Sequence, residues 1–341
     1  MSKDGKISWS TLPVSTCSGR RAAHAVIGNR EGPTRYAISR ITNECSAFEL
    51  LFTPSMERMI LSYSNAEGIQ MYNKNWNDLD ATDIWAYIGL LVLTGVLRSR
   101  NESTESLWDA KHGRSIFRAV MPLEAYTKIS RVIRFDNRAT RAERRINNKL
   151  APIRELWEKW VGTLQNLYNP NKFVTVDEQL IAFRGNCPFR QYMSSKLAKY
   201  AIKCWVLCDN ETSYVWNIQE LLDNKNMNQF SSQFAFTKDT TLVSYKPRKN
   251  RCVVLQSTLH CQKEISPRED RKPQIILDYN STKGAVDSLD RAISCYSAKR
   301  KTARWPIVVF SNIIDISAYN AYVLYSKTKN LLYRGPFCPN T

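Results

Sequence analysis

The chain has 341 residues, 43% of them hydrophobic, and its 49 Lys and Arg outnumber its 31 Asp and Glu, leaving a net charge of +18. That length allows two domains with a sizeable core, and the apolar content is that of an ordinary soluble globular protein. The basic surplus points to a polyanionic partner, most often nucleic acid, ahead of an anionic membrane surface.

Residues 1–40 carry seven Lys or Arg against two acids, with glycines and no apolar period, and read as a basic N-terminal arm (1–43). From about 44 to 168 the pattern is helical. CSAFELLFTPSMERMILSYS spaces Phe48, Leu51, Phe52, Met56, Met59 and Ile60 as amphipathic helices do. IWAYIGLLVLTGVL (84–97) is the longest apolar run. Its 14 residues fall short of the ~20 needed to cross a bilayer, so it reads as a buried helix with Thr82 or Asp83 as its cap. LEAYTKISRVIRF (123–135) and APIRELWEKWVGTLQNLY (151–168) are also helical in period. Between them runs a basic linker. Residues 131–154 hold eight Arg or Lys with only Asp136 and Glu143, which suits a solvated face and a phosphate-contacting loop equally well.

The texture changes near 171. NKFVTVDEQL, YAIKCWVLCD (200–209) and SYVWNIQ (213–219) read as strands, the last two separated by the turn DNET. Residues 184–203 contain Arg184, Arg190, Lys196, Lys199 and Lys203, no acid, and interleaved aromatics, a composition suited to a nucleic-acid backbone. TTLVSYKPRKNRCVVLQST reads as two strands around the turn KPRKNR, and KPQIILDY (272–279) as a further strand. Residues 282–296 turn helical, and 304–329 form a long helix with Pro306 in its first turn. Nine scattered cysteines without a CxxC pair, and no signal peptide, read as reduced thiols in an intracellular protein. Cys204 and Cys208 share one face of a strand and read as core.

Asp177 closes a strand in a basic region, and Asp287 and Asp290, three apart on a helix, share a face. Carboxylates so placed suit Mg²⁺ held against phosphates, since a hard cation prefers oxygen ligands. Glu178 points to the opposite face of the strand. Taken singly, however, a strand Asp is more often a turn or cap residue. Paired helical acids are more often a solvated face or partners of Lys283 and Arg291.

Longer stretches carry a resemblance. TVDEQLIAFRGNCPFRQYMSSK, KYAIKCWVLCDNETSYVWNIQ, TLVSYKP, YNSTKGAVDSLD and KRKTARWPIVVFSNIIDISAYNAY, with DGKISWSTLP, GPT (32–34) and NNKLAPIRELWE upstream, resemble the piggyBac transposase family in order and spacing from about residue 4 to 330. The resemblance implies a mixed α/β fold with a helical dimerisation and DNA-binding region (44–168). It also implies an RNase H-like core in two parts (169–219 and 271–330), a β-rich insertion (220–270) and a tail (331–341). It implies a cut-and-paste DNA transposase whose catalytic, Mg²⁺-binding acids are Asp177, Asp287 and Asp290. Double-stranded DNA is the implied partner and the nucleus the implied location, KRK (299–301) with Arg304 being at best a weak import signal. A homodimer is compatible with it; no membrane or small-molecule substrate is expected. With the sequence composition, the resemblance makes Arg184, Arg190, Lys196, Lys199, Lys203, Lys283, Lys299, Arg300, Lys301 and Arg304 the candidate DNA contacts.

The pattern breaks at one place. The family's second catalytic Asp lies in a CDNxFTS-like block after the third core strand. Here NIQ (217–219) runs straight into ELLDNKNMNQF, so that block and its strand are expected to be missing between Gln219 and Glu220, leaving the core incomplete. Asp209, in a turn, and Asp223 and Asp239 are not expected to substitute. The family's C-terminal cysteine-rich zinc module is not expected either, since only Cys338 lies in the tail. The resemblance then leaves three readings: a DNA-binding derivative without catalysis, an active enzyme if the coding sequence has been interrupted in error, or a degenerate copy with no role.

Overall fold

The structure is a computed structural model that describes residues 10–12, 30–194, 199–220, 232–236, 241–248, 251–257, 260, 262–267 and 270–330. The end of the N-terminal arm is packed rather than loose. Gly32–Pro33 (β1) pairs with Tyr168–Asn169 (β2), and Thr34 caps the short helix α1 (Arg35–Ile38), whose Ala37 is fully buried. Gly32 has φ +103°, a conformation that favours glycine.

The helical region then runs α2 (Glu44–Leu51), α3 (Pro54–Tyr72), α4 (Ala81–Val96), α5 (Thr104–Trp108), α6 (Ser115–Val120), α7 (Leu123–Val132), α8 (Arg141–Asn147) and α9 (Arg154–Leu167). Asn43 and Ser46 close a capping box at α2, and Pro54 starts α3 at a position where its missing N–H costs nothing. The cap of α4 is Asp80, not Thr82 or Asp83. Asp83 stands three residues in and bonds back to the Asp80 N–H, satisfying two end donors at once. The basic linker contains α8, tied down by ion pairs to the buried Asp136.

Strands β3 (Val174–Ala182), β4 (Gln191–Tyr192), β5 (Tyr200–Asp209) and β6 (Val215–Glu220) form an antiparallel sheet in which β5 is central and β3 is terminal. One face of the sheet, with Ile181, Ile202, Cys204, Val206, Cys208, Val215 and Ile218, is buried in the main core. Cys204 and Cys208 are therefore packing residues. A second sheet, β7 (Ser232–Phe236), β8 (Thr241–Arg248) and β9 (Arg251–Ser257), has its own small core of Val243 and Tyr245 against Ile275 and Ile276. The two isoleucines lie on α10 (Gln274–Thr282), so KPQIILDY is a helix and not the strand its apolar run suggests. An Ile-Ile-Leu run serves either period, and docking against the small sheet decides it. His260 joins the two, accepting or donating at Ser257 Oγ (2.8 Å) and at Asp278 Oδ2 (2.7 Å).

Helix α11 (Ala285–Cys295) and the 24-residue α12 (Trp305–Thr328) complete the fold. By length and composition α12 is apolar enough to cross a membrane, but 78% of its most apolar stretch is buried inside the protein. It joins the helical region to the sheet. Phe310 lies against Phe52 and Phe135, with ring centroids 6.3 and 4.7 Å away. Trp160 Nε1 donates to Ser317 Oγ at 2.9 Å. The Asn320 amide accepts from Val215 N–H and donates to Val215 C=O, each at 3.0 Å, satisfying backbone groups of β6 as a neighbouring strand would.

Candidate active site

Asp177 stands mid-way along β3, directly opposite Val206 of β5, with its side chain on the core-facing side of the sheet. Glu178, one residue on, faces the other way and pairs with Lys203, as strand alternation requires. Phe173 C=O and Phe183 N–H are bonded to the β5 side, so the even-numbered residues between them turn their backbone groups to the outside. Among the described residues no strand pairs with that outer edge. Side chains occupy it instead. Tyr279 Oη donates to Val176 C=O at 2.9 Å, Lys299 Nζ donates to Ala182 C=O, and Glu178 N–H donates to the Asp177 carboxylate at 2.7 Å.

Helix α11 packs against β3, which brings Asp287 toward this seam. Tyr279 stands near both Asp177 and Asp287. Burial pushes its hydroxyl up to about 12, and the charges of Asp177 and Asp287 add to that shift. Asp290 goes elsewhere: its Oδ1 accepts from Gln179 Nε2 at 3.0 Å, and Gln179 Oε1 in turn accepts from Asn312 Nδ2 at 2.9 Å. Gln179 and Asn312 are both buried, and nothing in the composition or spacing singled them out. A cavity of about 430 Å³ opens beside this network, lined by Asp290, Arg100, Lys299 and Asp315. Asp315 accepts from Ser297 Oγ (2.6 Å) and Ala298 N–H (2.7 Å), and burial raises its carboxyl to about 7.

Among the described residues no three Asp, Glu, His or Cys side chains gather closely enough to hold an ion. Asp209 is fully buried and accepts from Asn171 N–H and from the Thr212 N–H and hydroxyl, so it is a turn residue. Asp223 and Asp239 lie outside the described residues.

The candidate DNA contacts divide into two groups. Arg184, Lys199, Lys283 and Lys301 are exposed. The other described ones are engaged, Arg190 while remaining exposed. Arg190 donates to the carbonyls of Arg184 (2.5 Å) and Gly185 (2.7 Å) and lies over the Tyr200 ring. Lys203 pairs with Glu178, and Lys299 holds the β3 edge. Arg300 donates to Ser99 C=O (2.6 Å) and Glu102 C=O (2.8 Å). Arg304 donates to the carbonyls of Ser130, Arg131 and Ile133, closing the C-terminal end of α7 where cations are favoured. Lys196 lies outside the described residues.

The Transposase IS4 family pattern matches residues 43–233 and 219–322, two segments that overlap at 219–233 and together span most of the chain. The chain belongs to that family. Among solved structures, it is similar to a cryo-EM structure of piggyBac transposase in a synaptic complex with hairpin DNA. The identity is 27% and the TM-score 0.71, over 88% of this chain and 78% of that one. This chain is thus a piggyBac-like transposase by family and by its mixed α/β fold. DDE-type transposases generally use a divalent metal.

Proposed function

We propose that this piggyBac-like chain is a nuclear DNA-binding protein without strand-cleavage activity. The reading rests on the outer edge of β3. In an RNase H-like core that edge receives the strand carrying the second acid. Here Tyr279, Lys299 and the Asp177 carboxylate itself take the edge groups. A Mg²⁺ pair needs converging carboxylates, and Asp290 is turned to Gln179. The family pattern also restarts near residue 219, where the sequence places the missing block.

An exposed apolar face supports the same reading. Val174, Val176 and Trp205 share the side of the sheet away from α11 and are 39%, 47% and 37% exposed. A complete core of this type buries both faces of its sheet.

DNA binding follows from the charge of +18 and from the exposed Arg184, Lys199, Lys283 and Lys301. Mixing the purified protein with duplex DNA and Mg²⁺ tests both halves. The expected result is binding that weakens steeply with salt, because neutralised phosphates release counterions, and no nick, hairpin or transfer product. A product that disappears on Asp177→Ala would restore the enzyme. Binding that is absent or insensitive to salt would remove the DNA partner.

A further inference from the structure

The basic stretch 131–154 has no part in the acid seam, yet the fold gathers it around one cavity. Between the 134–145 turn and the start of α12 lies a pocket of about 320 Å³ lined by Arg134, Arg138, Arg141, Arg145 and Arg304. No acid lines it. Two buried carboxylates stand behind the arginines: Glu67 pairs with Arg134 (2.6 Å) and Arg138 (2.7 Å), and Asp136 pairs with Arg141 (2.5 Å) and Arg144 (2.7 Å). Four guanidinium groups therefore share two carboxylates, and Arg145 and Arg304 bring the cluster to six cations. Burial lowers Arg304 to about 10, and repulsion from Arg134 and Arg141 adds to the shift, partly offset by Tyr87 and Glu67.

The two carboxylates also orient the cluster. Arg134 and Arg141 are held by their acids and Arg304 by three carbonyls, which leaves them little freedom. Arg138 spends one nitrogen on Glu67 and is otherwise exposed, and Arg145 is exposed at the rim. The first turn of α12, Trp305 and Pro306, forms another wall. No side chain caps this 24-residue helix, so its positive end adds to the field in the pocket.

The geometry points to a phosphate-binding pocket formed by Arg138 and Arg145 over the fixed Arg134, Arg141 and Arg304, seating a backbone phosphate of bound DNA. Guanidinium forks match phosphate oxygens in shape and charge and suit this role better than lysines. The source of the phosphate rests on the DNA-binding reading above; the pocket itself does not.

The test compares wild type, Arg138→Ala/Arg145→Ala and a charge-matched control, Lys74→Ala/Lys159→Ala, at constant ionic strength. Glu67 keeps Arg134 as its partner in the double variant, so the fold is expected to survive, with cooperative melting as the check. In the first arm inorganic phosphate replaces chloride, and Tm is expected to rise for wild type and control but not for the double variant. In the second arm duplex DNA is titrated. The double variant is expected to bind at least about fivefold more weakly, with a salt slope smaller by about one to two, and the control to change less than twofold. Loss in the DNA arm assigns the pocket to a DNA phosphate. A response confined to inorganic phosphate keeps the pocket but overturns DNA as its source. Wild type that is stabilised by phosphate yet binds no DNA overturns the DNA-binding reading and leaves the pocket standing. A folded double variant matching the control in both arms overturns the pocket.

Discussion

Asp315 is a half-buried carboxylic acid that accepts two hydrogen bonds from the loop leading into α12, and its surroundings fix the sign of a pH effect. Burial raises its carboxyl to about 7, above the unfolded value. Below the unfolded value the native state gains its full contribution. That contribution is lost as pH rises toward 7, because the folded protein holds a proton that the unfolded chain has released. Urea unfolding is expected to show about 2 kcal/mol more stability at pH 5.5 than at pH 7.5, from ~1.4 kcal/mol per pH unit. Asp315→Asn should flatten this difference, since the amide oxygen can still accept from Ala298 N–H. An undiminished slope in the variant would place its origin elsewhere. At the other end of the legibility scale is Asp80. An acid three residues before Asp83 at the head of an apolar run is a visible capping box, and the cap lies two residues ahead of the first expected candidate. Asp80→Ala should cost ~1 kcal/mol in the same assay, while Thr82→Ala should cost less.

At the scale of elements, burial decides what local pattern leaves ambiguous. Strand β5 spans Tyr200–Asp209, as the alternation of YAIKCWVLCD indicates, because one face meets the core and the register is strongly specified. Helix α10 is the counter-example. Its Ile-Ile-Leu run fits a strand until Ile275 and Ile276 are seen to pack on Val243 and Tyr245. Helix α12 is legible in length, but its role as the link between helices and sheet lies in side chains such as Phe310 and Asn320 that meet partners far away in sequence. Phe310→Ala removes a ring enclosed by Phe52 and Phe135 and is expected to cost ~3–5 kcal/mol in equilibrium unfolding. A cost under ~1 kcal/mol would mean that the helix is not held through this cluster.

At the scale of the whole molecule the two sheets differ in what supports them. The β3–β6 sheet shares the continuous core with α9 and α12, whereas β7–β9 rests on a core of four residues completed by α10. Local opening follows buried apolar contact. Native-state hydrogen exchange should therefore show β5 and α12 opening near the global unfolding free energy and β8 and β9 well below it. Equal protection would make the small sheet an integral part of the main core.

The sequence by itself determined the helical first half, the three strands around Asp177, the acid pair on α11 and the excess of positive charge. Each is written in short periods or in composition. Long motifs in order carried the family as well. Only the tertiary structure decided that Asp290 turns to Gln179, that Tyr279 and Lys299 hold the open edge of β3, and which arginines are bound to carbonyls. These outcomes depend on partners up to 201 positions apart, and no local spacing encodes them. A run of arginines looks the same on a solvated helix as around a pocket; it becomes a cluster only when the start of α12 closes over it.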